Sequence, residues 1–141
     1  MSAAAQQFRY VPREPSLGQA SLAPMLTLTL TGARSATISA LVDSGAAVNV
    51  LPFSLGVDLG LDSDLQTQSV ELSGNLASVD ARVVVLSAAV GRFPPVTLAF
   101  AWARTDAVSV ILGQVNFFLE FDVCFFRSRS VFEVGPKPGK P

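Results

Sequence analysis

The 141-residue chain has no histidine and only one cysteine. Without histidine, Ser-His-Asp and Cys-His catalysis are excluded, along with most zinc sites, so no metal or other cofactor is expected. The lone Cys124 rules out an intrachain disulfide, and inside Val-Cys-Phe-Phe it reads as a buried, inert thiol rather than a nucleophile. Charge is scarce too. Only 15% of residues are charged, the net charge is −1, and the ten basic residues are scattered, so the chain carries no nucleic-acid footprint. Arg127, Arg129, Lys137 and Lys140 gather near the C-terminus, where a solvated strand edge and tail explain them better than a phosphate-binding patch. Long hydrophobic runs are also missing. The longest charge-free stretch, Pro15 to Ala33, is broken by Gly18, Gln19, Pro24 and several hydroxyl residues, which makes it a poor membrane span. The first twenty or so residues lack a basic start followed by an apolar core, so the expectation is a cytoplasmic chain without a signal peptide or membrane partner.

Half of the residues are apolar, enough for one domain with its own core. A surface so poor in charge implies that some apolar area is hidden by a partner. Residues 1–21, rich in Ala, Gln, Pro and Ser, read as an extended lead-in, residues 22–134 as the folded body, and residues 135–141, with three prolines, as a tail. Within the body, Leu26 to Thr31 alternates strictly between Leu and Thr, the pattern of a half-buried strand. Ala36 to Val42 returns after a turn at Gly32 to Ser35, and Val48 to Leu51 forms another strand that Pro52 ends. Pro52 to Leu61 has room for a short helical turn, although Gly56 and Gly60 oppose it. Val70 to Leu72, Arg82 to Val90, Val96 to Ala103, Val108 to Leu112, Val123 to Phe126 and Val131 to Val134 complete the series of strands, with helical turns over Gln114 to Leu119. Val96, Leu98, Phe100 and Trp102 form a bulky stripe against small residues on the other face, so Trp102 reads as core. Many short strands with frequent turns predict an all-β sandwich or barrel.

One carboxylate stands out. Ala-Leu-Val-Asp-Ser-Gly-Ala places Asp43 where an apolar strand stops, and an unpaired buried carboxylate is costly unless it is hydrogen-bonded or used. Ser44 adds a hydroxyl, Gly45 a tight turn whose N–H can bond a carboxylate oxygen, and Ala46 a narrow boundary. Two carboxylates sharing one proton supply a general base and a general acid together, which allows peptide hydrolysis without metal, cysteine or histidine. Asp-Ser/Thr-Gly occurs once here, so a pair requires two copies of the chain on a twofold axis. Asp106 and Asp122 lack the Ser/Thr-Gly of such a loop and read as turn or strand-end residues. By composition alone the tripeptide arises in roughly one chain of this length in fifteen, so its setting carries the weight.

That setting includes Val110-Ile111-Leu112-Gly113-Gln114-Val115-Asn116-Phe117-Phe118, about seventy residues after Asp43. Together with Leu41-Val42-Asp43-Ser44-Gly45-Ala46, it resembles the retropepsin-like, single-domain aspartic proteases, including bacterial members, over roughly Leu22 to Val134. The resemblance implies a closed, barrel-like all-β retropepsin fold with one short helix, assembled as a C2 homodimer. It also implies an aspartic endopeptidase acting on polypeptides, with Asp43 catalytic and Ser44, Gly45 and Ala46 completing the loop. Ile111, Leu112 and Gly113 match the family's strand behind that loop. A flap is expected between the two motifs, with Ser73, Gly74 and Asn75 as the candidate tip. The glycine-rich flap of viral members is absent, and that absence motivates an alternative: a non-catalytic dimeric β module that keeps the fold for peptide binding or assembly.

Overall fold

The computed structural model describes residues 4–66, 68–72 and 78–139. The candidate flap tip, Ser73, Gly74 and Asn75, lies outside the described residues.

The Leu/Thr alternation does form a strand. In β4 (Met25–Thr31), Leu26, Leu28 and Leu30 are buried and their Thr neighbours face outward. β4 pairs antiparallel with β5 (Ser35–Val42) from Met25↔Leu41 to Thr31↔Ser35. Two cross-strand hydroxyl pairs, Thr29–Thr37 at 2.9 Å and Thr31–Ser35 at 2.8 Å, close the outer face of this hairpin. β6 (Asn49–Leu51) follows the Asp-Ser-Gly loop and leads into α1 (Phe53–Asp58). β7 (Ala81–Val90) and β8 (Val96–Ala103) form the long central hairpin, and β9 (Ile111–Leu112) is a two-residue insert. The six strands close into a barrel in the order β4-β5-β9-β6-β8-β7, with β7 returning to β4.

Two apolar clusters follow from the pleat, because successive side chains point to opposite faces of a strand. Phe100, Trp102, Leu51 and Leu112 point into the barrel with the leucines of β4. Their alternates Ala101, Val50 and Ile111 point the other way, onto a second cluster shared with Leu72 and Ala81. Trp102 is core, as its stripe implied: it stacks on Phe53 at 5.3 Å and donates its indole N–H to the Phe53 carbonyl at 3.1 Å. Each fully buried Leu or Phe contributes about 1.5–3 kcal/mol to the folded state.

Several sequence expectations are corrected. There are two short α-helices among the described residues rather than one, α1 and α2 (Phe117–Glu120). The buried Gly56 survives in α1 because Trp102 packs over the place where a side chain would stand. Val108 to Leu112 is not one strand, since only Ile111–Leu112 pairs. The chain before it bends so that Asp106 reaches the start of α1 and Val108 packs on the second cluster. Val70 to Leu72 is reduced to an isolated bridge between Ser69 and Arg82. Cys124 is half-buried.

The N-terminal segment is built into the fold. β1 (Gln6–Arg9) pairs with β11 (Val131–Pro136), which also pairs with β10 (Phe121–Phe126), giving a three-stranded sheet. Phe8 stacks on the buried Phe132 at 5.5 Å and Tyr10 meets its edge at 6.0 Å. β2 (Val11–Pro12) and β3 (Leu22–Ala23) pair around a 3-10 turn at Pro15–Ser21. The basic residues of the last hairpin are occupied locally: Arg127 lies over Tyr10, Arg129 over Phe126, and Lys137 pairs with Glu120 at 3.0 Å. No described helix is long and apolar enough to cross a membrane.

Candidate active site

β5 delivers Asp43 to the mouth of the barrel. Its last pair is Val42↔Leu112, and the Asp43 N–H then bonds the Leu112 carbonyl at 3.0 Å, so the carboxylate leaves directly from a paired strand. The chain turns at once. Ala46 N–H bonds the Asp43 carbonyl at 3.1 Å, and Gly45 N–H donates to Asp43 Oδ1 at 2.9 Å. That bond fixes the carboxylate's orientation. A Cβ at Gly45 would stand 3.3 Å from the same oxygen, which leaves little space for any larger residue.

β9 lies between the two strands that flank the loop, parallel to β5 and antiparallel to β6. Ile111 and Leu112 therefore form the wall behind residues 43–48. Gly113 passes so close that a Cβ there would press into the carbonyl oxygens of Val48 and Ala46. The next residues lace the loop down. Gln114 N–H bonds the Ala46 carbonyl at 2.8 Å, Val115 N–H the Ala47 carbonyl at 3.0 Å, and the Gln114 side chain donates to the Ser44 carbonyl at 2.8 Å. Ser44 and Gly45 are exposed, and the Ser44 hydroxyl makes no hydrogen bond among the described residues.

Asn49 is the residue that sequence reasoning missed. It is fully buried, and it is the one buried polar residue among those described. Its Oδ1 accepts the Gly113 N–H at 2.7 Å, and its Nδ2 donates to the Ala99 carbonyl at 2.9 Å and to Asn116 Oδ1 at 3.3 Å. Asn116 continues the network, accepting Ala99 N–H at 3.0 Å and donating to the Thr97 carbonyl at 3.0 Å. One amide thus ties the loop's exit strand to Gly113 and to β8. The available signal was an amide inside the otherwise apolar run Val-Asn-Val-Leu.

Beside the loop opens a cleft of ≈ 250 Å³, walled by Ala46, Ala47, Val48, Val50, Leu72 and Ile111, with Glu71 at its edge. A second, wholly apolar depression of ≈ 180 Å³ shares Val48 and reaches Val115, Val83 and Phe100. The small side chains of Ala46 and Ala47 leave this cleft open.

The other aspartates stand apart from this arrangement. Asp106 accepts the Ser54 N–H at 2.7 Å and the Ser54 hydroxyl, at the start of α1. The hydroxyl bond first, then the backbone bond, hold its carboxyl below the usual carboxylate range. Asp122 is exposed at the start of β10. Among the described residues no cluster of His, Cys, Asp or Glu could hold a metal ion.

No family model matches the chain, and no curated protein does. Solved structures do. A retropepsin-like aspartic protease from Rickettsia conorii aligns with a TM-score of 0.59 at 14% identity, covering 91% of this chain and 98% of that one. The retroviral protease-like domain of Ddi1 from Leishmania major aligns with a TM-score of 0.53 at 14% identity, covering 82% of this chain and 95% of that one. At this identity the likeness is one of architecture, and the closed six-stranded barrel with β9 inserted behind the loop gives this chain the retropepsin-like fold.

Proposed function

We propose that this chain is an aspartic endopeptidase that works as a twofold homodimer, with a catalytic dyad made of Asp43 and the same residue of a second copy. The observation that carries this reading is the single Asp43 carboxylate, presented from a paired strand and oriented by Gly45 N–H, in a chain without histidine. The retropepsin-like fold of the two solved neighbours supports it.

Two carboxylates held close together resist double ionisation, so one stays protonated while the other is charged. The charged one takes a proton from a water lying between them as that water attacks the scissile carbonyl carbon. The protonated one donates to the carbonyl oxygen. As the tetrahedral adduct collapses, the first carboxyl gives its proton to the departing amine nitrogen and the second takes one back from a hydroxyl of the adduct, so the dyad again holds one proton for the next cycle. The exposed Ser44 and Gly45 lie where a second loop would approach, and Gln114 and Asn49 hold each loop in register. Polypeptide side chains would enter the cleft beside Ala46 and Ala47.

The test is a peptide-library digest at several pH values, with Asp43→Asn as the control. The reading expects turnover with an acidic or bell-shaped profile, and none in an Asp43→Asn protein that is still dimeric. Full activity in that variant overturns it. Peptide binding without turnover at every pH would assign the chain to the non-catalytic module instead.

A further inference from the structure

We infer that Glu71 gives the cleft beside the Asp43 loop a preference for peptides with a Lys or Arg side chain at that position. This deepens the peptidase reading and rests on it for the cleft's occupant.

The cleft's walls are apolar except at one point. Val48, Val50, Leu72 and Ile111 line it, and Leu72 and Val50 are buried in the second core cluster. Glu71 sits at the edge between that wall and solvent, and it is exposed. Among the described residues it has no ion pair. The basic residue on the strand bridged to this segment, Arg82, is already held by Asp80 and by Ser69 Oγ. An apolar trough ending in a carboxylate complements a long aliphatic stem with a cation at its tip. Lys and Arg have that form, burying their methylenes while the charged head stays in water. A norleucine fills the same trough and leaves the carboxylate unmatched. An acidic side chain meets repulsion there.

Because Glu71 is exposed, the contribution is modest, about two- to fivefold in affinity for one solvated pair. It should shrink at high salt, as solvated pairs do. The experiment separates recognition from turnover. Asp43→Asn protein is titrated at pH 7 with fluorescent peptides that differ only by Lys, norleucine or Glu at a scanned position, and binding is read by anisotropy. The expected result is one position at which Lys binds about two- to fivefold tighter than norleucine, with Glu weakest. Adding Glu71→Gln should erase the Lys–norleucine difference, and Glu71→Lys should turn the preference toward Glu. No basic preference at any position, no peptide binding, or a preference that Glu71→Gln leaves intact overturns the inference. Turnover by the unmutated protein is measured on the same peptides. Cleavage without the Glu71 effect leaves the peptidase reading standing and this inference refuted. The Glu71 effect on binding without cleavage by the unmutated protein does the reverse.

Discussion

Asn49→Ala tests whether the buried amide network holds the site together. The substitution removes the partner of the Gly113 N–H, 2.7 Å away, and of the Ala99 carbonyl, 2.9 Å away. The buried Gly113 N–H left unpaired costs about 1–3 kcal/mol and the part-buried Ala99 carbonyl adds less, so the substitution costs roughly 1–4 kcal/mol. Domains of this kind have only about 5–15 kcal/mol in total, so the loss should be large enough to move the unfolding midpoint well outside error. Urea unfolding at fixed protein concentration, followed by the fluorescence of the single buried tryptophan, Trp102, reads it directly. The slope should stay unchanged while the midpoint falls. Asn49→Asp adds a sign. It keeps the acceptor for Gly113 N–H, and in acid a protonated carboxyl can still donate to the Ala99 carbonyl, so its deficit should be smaller at low pH than at pH 7. A loss below about 1 kcal/mol for Asn49→Ala, at unchanged slope, would refute the claim that this amide braces Gly113 and β8.

Other outcomes follow from the same geometry. Gly113→Ala drives a methyl group into the carbonyl oxygens of Val48 and Ala46, so it should destabilise by about 1–3 kcal/mol and lower turnover more than binding, checked by unfolding and by separate kcat and KM values. Gly56→Ala meets the Trp102 ring, and a loss of about 1–3 kcal/mol with a shifted tryptophan emission is expected. Gln114→Ala frees the Ser44 carbonyl and should reduce kcat while leaving the urea midpoint within about 1 kcal/mol, since that bond is solvent-exposed. The Asp106 carboxyl, lowered by its two bonds from Ser54, contributes stability above its unfolded-state value and loses it as pH falls through the lower folded-state value. Asp106→Asn should therefore lower stability at neutral pH and flatten the acid limb of the stability profile.

The fold was legible where local pattern and tertiary role agree. The Leu/Thr alternation of β4, the bulky stripe of β8 and the final hairpin match the observed strands because their inward residues are also their apolar ones. The Asp-Ser-Gly loop was legible because a charge that ends an apolar strand is rare enough to notice. Position hid the rest. β9 is two residues long because the bend before it serves α1 through Asp106, a partner about fifty residues earlier in sequence at Ser54. β1 and the residue after it show Phe8 and Tyr10 at alternate places, yet the partner strand β11 lies at the other end of the chain, so no local signal ties them. Asn49 looked like an impurity in an apolar strand. Its meaning depends on Gly113 and Asn116, which only the closed barrel brings to it.

The proposed pairing of Asp43 with its own copy is tested most directly by mixing. Unmutated and Asp43→Asn chains are co-refolded at varying ratios, and activity is measured per total protein. If each site takes one aspartate from each chain, mixed dimers are inactive and activity follows the square of the unmutated fraction, falling to about one quarter in an equal mixture. Activity that falls only in proportion, to about one half, would mean that each chain carries a complete site and would contradict the shared dyad.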